Sequence, residues 1–184
     1  MKILTYNILL LVIGIQTSIH CQKADRIIAR QGQVSFFSYT SVEDIEATNN
    51  QVFSLLDKTT GDIAVNMLMR AFVFKKALME EHFNESYIES DLYPKMEFFG
   101  KIQDYNPQNF AQGTHIVKGT MELHGVKKEI ELKVKVDEDQ ENMVLTGDLE
   151  IAVSDFQIKV PPLLAPNIAK IIQVMFRFEY RPYE

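Results

Sequence analysis

The feature that most constrains this chain is the alternation of apolar and charged side chains over residues 117–136, "VKGTMELHGVKKEIELKVKV". Val117, Gly119, Met121 and Leu123 share one parity, while Lys118, Thr120 and Glu122 take the other. After the "HGVKK" break, Ile130, Leu132, Val134 and Val136 alternate with Glu129, Glu131, Lys133 and Lys135. Successive side chains on a strand point to opposite faces, whereas a helix would space its apolar positions three or four apart. The stretch therefore predicts a hairpin with one apolar and one charged face. Such a face covers a packed core or a ligand, and period two reads the same in both cases.

The same period recurs along the chain. "GQVSFFSYT" predicts a first strand, rich in aromatic and β-branched residues. "IEATNNQVFSLLD" and "DIAVNMLMRAFVF" predict two longer strands joined at "KTTG", where Gly61 can supply a turn with positive φ. Ile63, Val65, Met67 and Met69 share a parity, and Phe72 and Phe74 fall on the opposite one, which predicts a β-bulge near Arg70. "KKALMEEHFNESYIES" differs: Ala77, Leu78, Glu81, His82 and Glu85 sit at helical spacings, predicting a helix over residues 76–85. Strands resume with "KMEFFGKI", the opening hairpin, "MVLTGDLEIAV" and "IIQVMFRFEY", with a proline-rich break at "VPPLLAPN" before the last. The reading is all-β, about eight strands with one short helix between strands 3 and 4, as a sandwich or a barrel. Eight strands closed on themselves leave an interior that side chains fill or that holds one small ligand.

The chain has 184 residues, 46% of them hydrophobic, enough for one domain with a sizeable core. A formal charge of -6 argues against a nucleic-acid partner held through phosphates and against attraction to anionic membrane surfaces. Lys2 followed by an apolar run over residues 3–15 reads as a secretory signal covering residues 1–21, with the domain at 22–184. The run is short for a spanning helix, so no stable membrane insertion is expected. An uncleaved anchor and a lipoprotein cut before Cys21 are the alternatives. Cys21 is the single cysteine, so a chain cut after it carries no thiol.

Residues that could carry chemistry are few. His82 in "MEEHF" adjoins Glu81, but the position one turn earlier is Leu78, so the HExxH zinc pattern is absent. With His115 and His124 far along the chain, a closed zinc site would need ligands gathered from distant strands. His82 is expected to hydrogen-bond a neighbouring strand, and His124, before Gly125, to sit in a structural turn. No serine lies in a G-x-S-x-G elbow. Glu80 with Glu81, and Asp44 with Glu46, read as solvated faces rather than catalytic carboxylate pairs. No catalytic residue, metal ligand or cofactor is expected. Two basic clusters, Lys75-Lys76 and Lys127-Lys128, remain as solvated lysines or as contacts for an anionic head at a barrel rim.

Several blocks in order carry a resemblance. "EEHFNESYIESDLYP" is similar to the acidic-x-His-hydrophobic segment of the YceI-like proteins, which ends in Tyr-Pro. "YPKMEFFGKI" resembles that family's Tyr-Pro strand, residues 117–136 resemble its His-Gly-Val-x-Lys hairpin, and "LTGDLEIAVSDFQIKVP" resembles its late strand. Where many members carry Arg-Asp before the helix histidine, this chain has Met79-Glu80. The resemblance implies a secreted or periplasmic, lipocalin-like antiparallel barrel of eight strands, binding a polyisoprenoid-like or fatty amphiphile in its lumen. The apolar parity then supplies the candidate wall: Phe37, Phe72, Phe98, Met121, Leu123, Leu132, Val134, Leu149, Ile151, Phe176 and Phe178. Lys75, Lys76 and His82 are the candidate head-group contacts. The alternatives are a structural barrel with a filled core and a histidine-dependent enzyme.

Overall fold

A computed structural model describes residues 25–39, 44–108, 110, 112–139, 142–160 and 169–183. The expected leader, residues 1–21, and most of the proline-rich break lie outside the described residues. The strands in chain order are β1 (Arg26–Ser38), β2 (Ile45–Asp57), β3 (Asp62–Leu68), β4 (Val73–Phe74), β5 (Lys95–Ile102), β6 (Gly113–Leu123), β7 (Val126–Asp139), β8 (Asn142–Ala152) and β9 (Ile171–Pro182). They hydrogen-bond in the order β1-β9-β8-β7-β6-β5-β3-β2, and β2 pairs back onto β1. The result is a closed antiparallel barrel of eight strands, with β4 added to β2 outside the ring. Closure leaves no open edge in the ring for another chain to pair with. Among the described residues no helix is long and apolar enough to cross a membrane.

The short helix α1 (Ala77–His82) stands, as expected, between the third and fourth strands of the ring. It is shorter than the predicted 76–85: after His82 the backbone widens into a π turn, Phe83–Tyr87. The predicted third strand is also interrupted. A 3-10 turn over Met69–Ala71 replaces the expected bulge and accounts for the parity change between Met69 and Phe72. Two contacts fix it there. Asn49, wholly buried, donates Nδ2–H to the Leu68 carbonyl (2.9 Å), and Met69 N–H donates to the Pro94 carbonyl (2.9 Å). A buried amide without such partners would be costly, so the break is locked to its position.

The opening hairpin is β6–β7, turning in two residues at His124-Gly125, with φ of 52° and 73°. Two positive φ values match the turn whose twist suits a two-residue hairpin. A Cβ on Gly125 would also stand 2.7 Å from the Tyr93 ring. Deeper in the barrel, Gly119 on β6 faces Gly100 on β5, and a Cβ on Gly119 would fall 2.4 Å from the Gly100 Cα. The paired glycines let the Phe98 ring lie across both strands on the inside.

Candidate functional site

The inward face of the strands is mostly apolar, but it fills the barrel at one end only. At the end where β1 starts and β9 finishes, Val52, Leu56, Leu145 and Tyr180 are buried completely or nearly so. Tyr180 donates its hydroxyl to Ser54 Oγ (2.6 Å), which in turn donates to the Ala64 carbonyl (3.2 Å). Complete burial pushes the Tyr180 phenol far above its ordinary range, and the Ser54 hydrogen bond offsets part of that. At the opposite end the side chains enclose a cavity of about 450 Å³.

The cavity wall places most of the predicted residues together. Phe72, Phe98, Met121, Leu123, Leu132, Val134, Leu149, Ile151, Phe176 and Phe178 line it, as do Lys76 and His82. Phe37 does not: it lies on the other face of β1 and stacks on Tyr39, ring centroids 6.1 Å apart. Val34, Phe36 and Ser38 take the inward parity, because β1 shifts register between Ala29 and Val34. Two adjacent phenylalanines in "SFFSY" conceal that choice from a sequence reading. Lys75 also points away, its ammonium 2.6 Å from the Glu46 carboxylate and its side chain 82% exposed.

Phe36, Phe74 and Phe83 also line the wall. Phe36, Phe72, Phe74 and Phe83 form one aromatic cluster, with centroids 5.1–5.8 Å apart across its closest pairs. Phe83 comes from the π turn, whose five-residue spacing no helical template would pick out. Met67, Met69, Met79 and Met96 join Met121 on the wall. The shared parity of Met67 and Met69 was the available signal for two of them.

Among the described residues, polar side chains on the wall lie at the mouth: Ser38 at the end of β1, and Lys76, His82 and Tyr87 around α1. Burial raises the Tyr87 phenol above its usual range. His82 makes no hydrogen bond or ion pair among the described residues, contrary to the expected bond to a strand. It stands at the last position of a helix of six residues and turns its ring to the cavity instead. Among the described residues no three His, Cys, Asp or Glu side chains group closely enough to hold a metal ion.

His124 is the more constrained histidine. It is buried in the hairpin turn, with Nδ1 3.0 Å from the Phe156 carbonyl and Nε2 3.1 Å from Glu89 Oε2. The Tyr93 ring covers it at 4.3 Å between centroids. Phe156 ends the 3-10 turn that follows β8, and Glu89 lies just beyond the π turn.

Comparison with known proteins agrees with this architecture. The model of the YceI-like domain matches residues 26–180. A polyisoprenoid binding domain from Saccharophagus degradans, implicated in plant cell wall breakdown, superposes with a TM-score of 0.73 at 15% identity, over 88% of this chain and 100% of that one. BcnA of Burkholderia cenocepacia gives 0.70 at 15% identity, over 82% of this chain and 96% of its own. A Campylobacter jejuni YCEI protein gives 0.55 at 14% identity, over 81% of each chain. No curated protein sequence matches the chain.

Proposed function

This chain belongs to the YceI-like domain family, and on that premise we propose that it binds an isoprenoid-like or fatty amphiphile, tail inward, and carries it without chemistry of its own. The observation that supports this reading is the segregation of the wall: a cavity of about 450 Å³, apolar along its depth, with Ser38, Lys76, His82 and Tyr87 gathered at its mouth. Such a shape matches a molecule with one long apolar part and one polar end. Burial of the tail contributes about 25 cal/mol per Å² of apolar area. The methionines can adapt to tails of different outline, since their thioethers are flexible and polarizable. Lys76, His82 and Tyr87 would meet the head, with Lys75 at the outer rim. The polyisoprenoid named for the Saccharophagus relative is consistent with the class. A leader over residues 1–21 would put this carriage outside the cytoplasm.

Native mass spectrometry of the protein purified from its own source tests the reading. A co-purified lipid of defined mass is expected, displaced by a polyprenol or a long-chain fatty acid. A clean apo mass, with no uptake of either probe, would overturn it.

A further inference from the structure

Both ring nitrogens of His124 face groups that only accept hydrogen bonds: a backbone carbonyl at 3.0 Å and a carboxylate at 3.1 Å. A carbonyl never donates, and an ionised carboxylate cannot. A neutral imidazole carries one N–H, so it satisfies one of these acceptors and turns a lone pair toward the other. Only the imidazolium donates to both. The two acceptors belong to different segments of the mouth. Glu89 follows the π-turn segment, which brings Phe83, Tyr87 and Ile88 to the cavity wall. Phe156 ends the turn that leads on to Ile158 and Val160, also on the wall.

We propose that His124 is a proton-operated latch on the mouth of the barrel: the imidazolium fastens the π-turn segment to the turn after β8, and loss of its proton unfastens one of them. Other charges around the ring are already matched. Asp155, beside Phe156, pairs with Lys128 on β7 at 2.9 Å, and Glu122 pairs with Lys127 across the hairpin at 3.3 Å. Tyr93 covers the ring with an uncharged face. Glu89 is therefore the acid that reads the proton. Glu89 itself holds a left-handed φ of 49°, a conformation that non-glycine residues seldom adopt without a tether. The imidazolium holds both segments and the neutral ring holds one, so the latch is closed in the protonated ring and loosened in the neutral one. A consequence for lipid release rests on the binding reading above, but the latch is testable without any ligand.

The test is hydrogen exchange of the full chain at pH 5.5 and pH 8, each amide corrected for its intrinsic rate, with peptides from β5 and β6 as internal reference. Protection over residues 83–93 or 153–158 is expected to fall about tenfold relative to the reference, the effect of one charge-assisted hydrogen bond. In Glu89→Gln the side-chain amide can donate to a neutral ring nitrogen, so protection should become independent of pH while the fold persists. Nitrogen chemical shifts of the His124 ring should report two protonated nitrogens where protection is high and one where it has fallen. Equal protection at both pH values, an unchanged pH response in Glu89→Gln, or a ring whose protonation does not follow the protection would each overturn the latch. These results leave the lipid reading untouched, just as an apo mass would leave the latch untouched.

Discussion

At the end of the barrel where β1 begins and β9 finishes, inward side chains meet across the axis; at the end where α1 and the π turn lie, they stop short and leave a cavity. Both ends come from the same alternating strands. The filled end is built from compact branched residues, Val52, Leu56, Ile102 and Leu145, around one tyrosine. Tyr180 on β9 reaches over β1, where Ala29 presents a single methyl, to the Ser54 hydroxyl on β2. That bond ties β9 to β2 across the intervening β1. The open end sets phenylalanines and methionines beside branched residues such as Leu132, Val134 and Ile151, and its polar groups sit at the mouth. Alternation therefore sets which way a residue points, and branched residues stand at both ends, so the buried polar anchor rather than residue type marks the filled one.

The largest effect that could break this contrast is a buried charge placed at each end. Leu145→Asp puts an unpaired carboxylate where the wild-type leucine is wholly buried. The cost is about 3–5 kcal/mol, comparable to the whole stability of a small domain, and the variant should melt early or fail to fold by circular dichroism. Ile151→Asp lies on the partly exposed cavity wall, where water can reach the carboxylate. It should fold, lose about 1 kcal/mol, and no longer take up a fluorescent fatty-acid probe. Equal destabilisation of the two proteins would mean that the cavity is closed to water.

Small-to-large changes sharpen the same contrast. Val52→Phe has no space to enter, and overpacking should cost about 1–3 kcal/mol in urea unfolding. Leu149→Trp grows into the cavity, so its unfolding midpoint should stay within about 0.5 kcal/mol of wild type. Its affinity for the probe should drop about tenfold, equivalent to ~1.4 kcal/mol of lost tail contact. Unchanged probe binding in Leu149→Trp would move the tail away from the β8 wall.

Much of this architecture was legible in the sequence because it depends on parity. The β6–β7 hairpin, the inward faces of β8 and β9, and the helix between the third and fourth ring strands follow from spacing alone. What escaped depends on contacts between distant residues. The inward choice between Phe36 and Phe37 is made by a register shift against β2, which two adjacent phenylalanines hide. The 3-10 turn over Met69–Ala71 is fixed by Asn49, about twenty residues upstream in the chain. Phe83 reaches the wall through a π turn. His124 was readable as a turn residue from the glycine beside it, but its two acceptors, Glu89 and Phe156, are each more than thirty residues away. The cavity itself had no signature, since filled and open walls share one period.

The smallest predicted effect concerns the anchor of the filled end and carries a sign that changes with pH. Tyr180→Phe removes one buried hydrogen bond, while Ser54 keeps the Ala64 carbonyl as its acceptor. At pH 7 the loss should be about 1 kcal/mol by urea unfolding. Burial holds the Tyr180 phenol well above the ordinary tyrosine value in the folded chain. Once the barrel unfolds, the phenol returns to a value of about 10. Below that pH both states keep the proton, and the stabilisation is fully present. Above it only the unfolded chain releases the proton, so wild-type stability falls by up to about 1.4 kcal/mol per pH unit. Phenylalanine has no proton to release. The other tyrosines, Tyr87 and Tyr105 among them, are shared by both proteins and cancel in the difference. The gap between wild type and Tyr180→Phe should therefore shrink above about pH 10 and reverse near pH 11. A gap that stays constant from pH 7 to 11 would mean that the folded phenol already ionises at its ordinary pH, and hence that the filled end is not sealed from water.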